Sequence, residues 1–396
     1  MTDHPDHPAA GPLTGVRVVE LAGIGPGPLA GMLLADLGAD VILVDRPGGP
    51  PTPLPQVSDL TSRGKRRIVV DLKHPRGAAV VRRLAAGSDA LIEGYRPGVA
   101  ERLGVGPADC LAANPALVYG RMTGWGQDGP LAQTAGHDIA YIAVTGALGA
   151  IGRAGGPPQV PVNYLGDFAG GSMFLALGLV AGVLQARQTG RGRIVDAAIV
   201  DGTAVLQAMT YSLLAGGAWT DKRGVNLLDT GAPYYDVYET ADGRHMAVGA
   251  LEPQFYAEFT RVLFAPEGIP AGLPRQHDQP RWPELRQRLA ARFAELSQAE
   301  WTKRFSGTDS CVAPVLTLLE APDDPHLAAR GTYPTVDGVV QPAPAPRFAA
   351  PSDSGPISAA PPGRIAKLGE HTREVLTASG FTDVDDLFAE GAVWQA

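Results

Sequence analysis

Apolar and polar positions change period repeatedly along this chain. Val16-Arg-Val-Val-Glu-Leu21 is a short β-rich run, followed by Gly23-Ile-Gly-Pro-Gly-Pro28. Leu29–Leu37 has helical spacing, Gly38-Ala-Asp40 breaks it, and Val41-Ile-Leu-Val-Asp45 returns to a strand pattern. Strand, helix and strand in that order predict a βαβ unit. Beyond it, Ile68–Asp71, Ala90–Glu93 and Leu117–Met122 read as strands. His74–Gly87 reads as a helix with proline in its first turn, and Pro97–Leu103 as a short one. Strands alternating with helices imply a parallel sheet covered on both faces.

The middle of the chain is patterned differently. Gly170–Gln188 is apolar and helical, and Thr189-Gly-Arg-Gly192 is a turn. Ile194–Ala215 reads as a strand and then a helix, and the glycine-rich Trp219–Pro233 as a connector. Tyr234–Glu239 and Met246–Ala250 flank Asp242-Gly243, the pattern of a β-hairpin. Helices are predicted near Pro253–Phe264 and Trp282–Leu296. Proline-dense Pro342–Pro362 reads as an extended crossing segment, and Lys367–Gly380 as a last helix.

The chain has 396 residues, long enough for two domains or three, with 45% hydrophobic and 19% charged residues. A net charge of −8 argues against nucleic acid or an anionic membrane as partner. The best candidate for a membrane span, Met173–Leu184, is about 12 residues long with two glycines, and reads as a buried helix. MTDHPDHPAAGP lacks the charged and apolar regions of a signal peptide and reads as a mobile tail, with no metal assigned to His4 or His7. Cys110 and Cys311 are isolated, so packing roles in a reducing compartment, and by default the cytoplasm, are expected.

Two titratable residues stand among glycines: His137 in AGHDIAYIAVTG and Asp167 in NYLGDFAGGSMF. Glycine lets backbone approach a ligand closely. An imidazole and a carboxyl group facing each other across a pocket can take a proton from one side of a carbon and return one on the other. Gly25-Pro-Gly27-Pro-Leu-Ala30 points elsewhere. It fits G-x-G-x-x-A between a strand and a helix, with Asp45 where a ribose-binding acid would sit. Pro26 and Pro28, however, lack the N–H groups such a loop aims at a pyrophosphate.

These segments resemble the family III CoA-transferase superfamily and, within it, the α-methylacyl-CoA racemases. The likeness runs through GPLTGVRVVELAGIGPGPLAGMLLADLGADVILVDRP, RRIVVDLK, LIEGYRPGVAERLG, RMTGWGQDGP, AGHDIAYIAVTG, LGDFAGGSMF, GRGRIVDAAIVDG, GAPYYDVYET, GALEPQFY and LGEHTREVL. It implies an α/β fold: a Rossmann-like large domain built from both chain ends, a smaller α+β domain, and two chains interlocked as linked rings. On that pattern 1–197 opens the large domain, 198–233 links, 234–320 is the small domain, 321–345 links again, and 346–396 returns to the large domain.

The resemblance also implies chemistry. In the transferases the aspartate matching Asp167 attacks the thioester, and a histidine like His137 is typically missing. The racemases resemble this chain at His137, Asp167 and Glu252. The implied reaction is inversion at C2 of a 2-methylacyl-CoA through an enolate, with no cofactor beyond the CoA of the substrate. An imidazole can be acid or base near neutral pH. Asp167 needs its proton affinity raised, for which Phe168 and Met173 are suitable neighbours. Glu252 is expected to fix the tautomer of His137, and N–H groups near Asp167 to meet the enolate oxygen. Implied CoA contacts are Arg46, Val70, Asp71, Leu72, Lys73, Gly94, Tyr95, Arg96, Arg102, Gly136, Asp138 and Tyr141, arginine being suited to phosphate and adenine. Asp138 could instead hold the loop of His137. Arg63, Lys65, Arg66 and Arg67 read as further CoA contacts or as a solvated basic loop. A CoA-transferase with Asp167 as nucleophile, a nicotinamide dehydrogenase and a non-catalytic acyl-CoA binder are the competing readings.

Overall fold

The computed structural model describes residues 11–49, 59–352, 355 and 357–395. The N-terminal stretch read as a tail, with His4 and His7, lies outside them.

In chain order the elements begin β1 (Arg17–Leu21), α1 (Pro26–Asp36), β2 (Asp40–Asp45), β3 (Arg66–Val70), α2 (Gly77–Ala86) and β4 (Ala90–Glu93). There follow α3 (Val99–Arg102), α4 (Pro107–Ala113), β5 (Val118–Thr123), α5 (Asp138–Val144) and α6 (Ala147–Ala150). A π-helix, Tyr164–Ser172, runs directly into α7 (Met173–Thr189), before β6 (Ile194–Ala198), α8 (Ile199–Leu206) and α9 (Ala208–Ala215). Then come β7 (Tyr235–Glu239), β8 (His245–Gly249), α10 (Pro253–Leu263), α11 (Trp282–Phe293), α12 (Gln298–Phe305), β9 (Val312–Pro314) and α13 (Pro325–Ala329). The chain closes with β10 (Thr335–Val336), β11 (Val339–Val340), α14 (Thr372–Ala378), α15 (Val384–Ala389) and β12 (Val393–Trp394).

Described residues within Met1–Thr145, Val162–Leu206 and Pro322–Ala396 form one compact unit, and those within Gly146–Pro161 and Gln207–Ala321 a second. The segment 198–233, expected to be a linker, carries α8 and α9. Two short elements that periodicity could not resolve, β9 and β12, complete their sheets.

The first unit is built on a seven-stranded sheet in the order β12-β3-β2-β1-β4-β5-β6, parallel except for β12. The apolar strands split by the two-residue period of a strand. Val19, Leu21, Ile42, Val44, Leu91 and Tyr119 face one core, closed by Val80, Leu84, Val375 and Leu376 from α2 and α14. Val18, Val41, Ile92 and Val118 face the other, closed by Leu34 of α1 and Leu175, Leu179 and Val183 of α7. The C-terminal stretch belongs to this sheet, Val393 pairing with Val70 and Trp394 with Val69. Starting from β1, the chain lays β2 and β3 on one side, then returns to lay β4, β5 and β6 on the other. The connectivity therefore reverses between β1 and β4.

The apolar helix is longer than the sequence pattern implied. It is continuous from Tyr164 to Thr189, 26 residues, long and apolar enough by length and composition to cross a membrane. One side packs on the sheet. On the other, Met173, Leu177, Val180 and Leu184 form an exposed apolar stripe.

In the second unit β7, β8 and β9 form an antiparallel sheet, with the expected hairpin pairing Tyr235 to Gly249. Its core is aromatic: Tyr238, Phe259, Phe293, Trp301 and Phe305 stack or meet edge-on. A reciprocal Ser297–Glu300 capping box starts α12.

Candidate active site

A cavity of about 570 Å³ opens at the C-terminal ends of β1, β4 and β5. It lies where the strand order reverses, the usual ligand crevice of an open α/β sheet. Leu21 and the Gly23–Pro28 loop form one wall, Gly94–Pro97 a second, and Met122–Trp125 a third. His137, Tyr141, Asn163 and Asp167 complete it.

The walls are anchored from behind. Tyr95 donates its N–H to Oε2 of Glu93 (2.7 Å), and Arg121 Nε donates to the other carboxylate oxygen (3.0 Å). The carbonyl of Pro26 accepts from Ser172 Oγ (2.8 Å), and that of Pro28 from Lys65 Nζ (2.9 Å). The Tyr141 ring lies edge-on to Trp125, with ring centroids 4.8 Å apart, and Trp125 Nε1 is buried with no partner among the described residues.

His137 is the exposed N-cap residue of α5, in extended conformation. Asp167 is half-buried in the first turn of the π-helix, where backbone N–H groups lack helical partners. Its N–H is taken by Oδ2 of buried Asp138 (2.7 Å), and its own Oδ2 accepts from Asn163 Nδ2 (3.3 Å). Burial raises the proton affinity of the Asp167 carboxyl above the ordinary value. Asp138 adds to that rise, while the Asn163 hydrogen bond and the charge of His137 oppose it. His137 and Asp167 therefore feel each other electrostatically across one cavity. The Asp167 N–H is committed to Asp138, so it is not a free donor of the kind expected there from the sequence.

Of the expected CoA contacts, Gly94, Tyr95, Arg96, Gly136 and Tyr141 line this cavity. Arg46, Val70, Asp71, Leu72, Lys73 and Arg102 do not. Arg46 is close enough to oppose the burial-driven rise in the Tyr95 hydroxyl. Val70 is buried in β3, so its side chain is spent on the core. Asp138 lies beneath the cavity wall. Glu252 belongs to the second unit. It is the exposed N-cap residue of α10 and makes no side-chain capping bond.

The basic run is neither a solvated loop nor a row of free cations. Arg63 pairs with Asp36 (2.5 Å), Lys65 with Glu20 (2.6 Å), Arg66 with Asp40 (2.6 Å) and Arg67 with Asp45 (2.9 Å). Asp45, where a ribose-binding acid would sit, is thus committed to Arg67. Ile24, Trp125 and Asn163 were not singled out as site residues from the sequence, and Gly25 was named only for the dinucleotide-like loop. Asn163 stands four residues before Asp167 at the N-cap of the π-helix, a spacing that a helix read as starting at Gly170 did not reveal. Among the described residues, no group of three or more His, Cys, Asp or Glu side chains is placed to hold a metal ion.

Comparisons with known proteins bear on this geometry. Residues 13–372 match CoA-transferase family III. The human alpha-methylacyl-CoA racemase is 45% identical over 376 residues, covering 93% of this chain and 94% of that one. The mouse succinyl-CoA:glutarate CoA-transferase is 33% identical over 383 residues, covering 92% and 86%. Among solved structures, a CAIB/BAIF family protein from Brucella suis superposes with a TM-score of 0.77 at 25% identity, covering 94% of this chain and all of its own.

Proposed function

For a chain that belongs to CoA-transferase family III, with His137 and Asp167 on one cavity, we propose cofactor-independent racemisation at C2 of 2-methylacyl-CoA thioesters. The observation that carries this reading is the pairing of those two groups. A transferase needs one carboxylate nucleophile, whereas inversion needs a proton acceptor on one face of the carbon and a donor on the other. The relatives support the same choice, the racemase being more similar than the transferase over a comparable length.

In this mechanism one of the two groups removes the C2 proton, the enolate spreads its charge onto the thioester oxygen, and the other group returns a proton to the opposite face. The reverse direction exchanges the roles. Burial that raises the proton affinity of Asp167 suits both. Arg96 and Tyr95 at the cavity rim are assigned to the CoA moiety, and Arg46 and Arg102 to its outer phosphates. A second copy of the chain is proposed as partner, covering the stripe Met173, Leu177, Val180 and Leu184. Glu252, exposed and making no side-chain capping bond in its own chain, is proposed to hold the distal nitrogen of His137.

The test is exchange of the C2 proton of a chiral 2-methylacyl-CoA in D2O with no acceptor acid present. Deuterium should enter as optical activity is lost, and His137→Ala and Asp167→Ala should each slow this by about 10²-fold or more. CoA transfer to an added acid without such exchange would establish the transferase instead.

A further inference from the structure

Asp138 stands directly after His137 in sequence, and its carboxylate reaches the backbone of Asp167 in space. It is the first residue of α5 and only 6% exposed. Its Oδ2 accepts the Asp167 N–H at 2.7 Å. The π-helix that carries Asp167 has no side-chain cap of its own, since Asn163 at its N-cap makes no capping bond. A carboxylate from another helix therefore does the work of a local cap. The packing leaves no alternative at the preceding position. A Cβ on Gly166 would fall 2.4 Å from Asp138 Oδ2, so glycine there is the condition for this contact.

We infer that Asp138 is a positioning residue for the proton transfer: through its side chain it ties the segment bearing His137 to the backbone of Asp167, so that both groups are held as one unit. This rests on the racemase reading above and replaces the expectation that Asp138 binds CoA.

The same carboxylate acts on Asp167 by charge. The groups facing Asp167 are His137, Asp138 and Tyr141 from α5, Asn163 from the preceding loop, and Gly25 from the loop before α1. Among them Asp138 is the one that raises the proton affinity of Asp167 by repulsion, and His137 and Asn163 lower it. Oδ1 of Asp138 is buried with no partner among the described residues.

Two variants separate cap from charge. Asp138→Asn keeps an oxygen that can accept the Asp167 N–H and removes the charge. Asp138→Ala removes both. The readout is C2 proton exchange in D2O as a function of pH, with kcat and KM resolved. Wild-type exchange is measured first: its absence overturns the racemase reading itself, independently of Asp138. Given exchange, Asp138→Asn should move the Asp167 limb of the kcat profile to lower pH by about half a unit or more, because a like charge has gone. Asp138→Ala should lower kcat by about 10-fold or more with KM little changed, the mark of lost positioning. If Asp138→Ala does not fold, Asp138→Ser, which also lacks the charge and falls short of the Asp167 N–H, takes its place. Wild-type kcat in the variant without the bond, or an effect confined to KM, overturns the positioning, and a kcat profile for Asp138→Asn that superimposes on wild type overturns the charge effect.

Discussion

Gly25 shows how one position can separate two readings of the same loop. A dinucleotide-binding loop would need its first glycine for a tight turn beneath a pyrophosphate. Here Gly25 has φ 70° and ψ −116°, and a Cβ built on it would meet Asp167 Oδ2 at 3.3 Å. Gly25→Ala should therefore carry two penalties. Backbone in that glycine region costs on the order of 1–3 kcal/mol for an alanine. The Asp167 carboxylate must also retreat by a few tenths of an ångström, and misplacing a reacting group by up to about 1 Å costs up to about 10²-fold in rate. A loss of kcat between about 10-fold and 10²-fold is the expected result. KM for the CoA ester should change little, since the added methyl presses on the carboxyl proposed to react. The methyl group also removes water from Asp167, so the pH limb of that residue should move up, opposite to the shift expected for Asp138→Asn. Deuterium exchange at C2, followed by NMR on variant protein whose circular dichroism matches wild type, supplies both kcat and KM. Wild-type kcat with an unmoved limb would refute the reasoning, as would a loss expressed wholly in KM.

Burial pushes the Glu20 carboxyl from 4.5 up to about 7, and Lys65 offsets this only in part. The folded state then holds that proton more tightly than the unfolded one, so the stabilisation is complete below about pH 4.5 and is lost as pH rises through about 7. Urea denaturation of wild type and Glu20→Gln should show the wild-type advantage falling by about 3 kcal/mol between pH 4.5 and 8, and an advantage that grows with pH would contradict this. Glu252→Gln should lower kcat less than His137→Ala, and the double variant should be far from multiplicative. Independent effects of the two changes would separate Glu252 from His137. Co-expressing His137→Ala and Glu252→Ala chains should regenerate some active sites if a second copy supplies Glu252, and a monomer at micromolar concentration would refute that assembly.

Much of the sheet was legible because its strands are short apolar runs spaced by helices. Ala90–Glu93 appears with the bounds its residues suggest. The helix bearing Asp167 was harder. Gly166, Gly170 and Gly171 read as places where backbone could approach a ligand, with a helix starting only at Gly170, yet the helix begins at Tyr164. Those glycines are instead places where other groups come close, Asp138 against Gly166 and Thr203 of α8 against Gly170. Local sequence cannot report which distant side chain needs the space. The basic run Arg63–Arg67 has the same difficulty. Its acids stand 22 to 45 residues earlier, on β1, α1 and β2, and only the sheet brings them opposite. His137 and Asp167 were recognisable as chemistry and Asp138 as a candidate beside them, whereas the bond of Asp138 to the Asp167 backbone and the contact of Asn163 needed the fold.

The surroundings of Asp167 also bear on what a carboxylate is asked to do in this family's fold. A nucleophilic carboxylate must be ionised when it attacks, and its environment should favour the charge. A carboxyl group that alternately gives and takes a proton needs an affinity nearer the working pH. Around Asp167 the largest influence is burial, which disfavours the charge, and Asp138 presses the same way. Asn163 offers a single donor at 3.3 Å, a long hydrogen bond for stabilising an anion. Its own backbone N–H is held by Asp138. These influences accord with the proposed proton transfer, for which His137 on the same cavity would be the second group. On the proposed mechanism, deleting His137 alone should therefore not convert the site to acyl transfer while burial and Asp138 still disfavour the Asp167 charge.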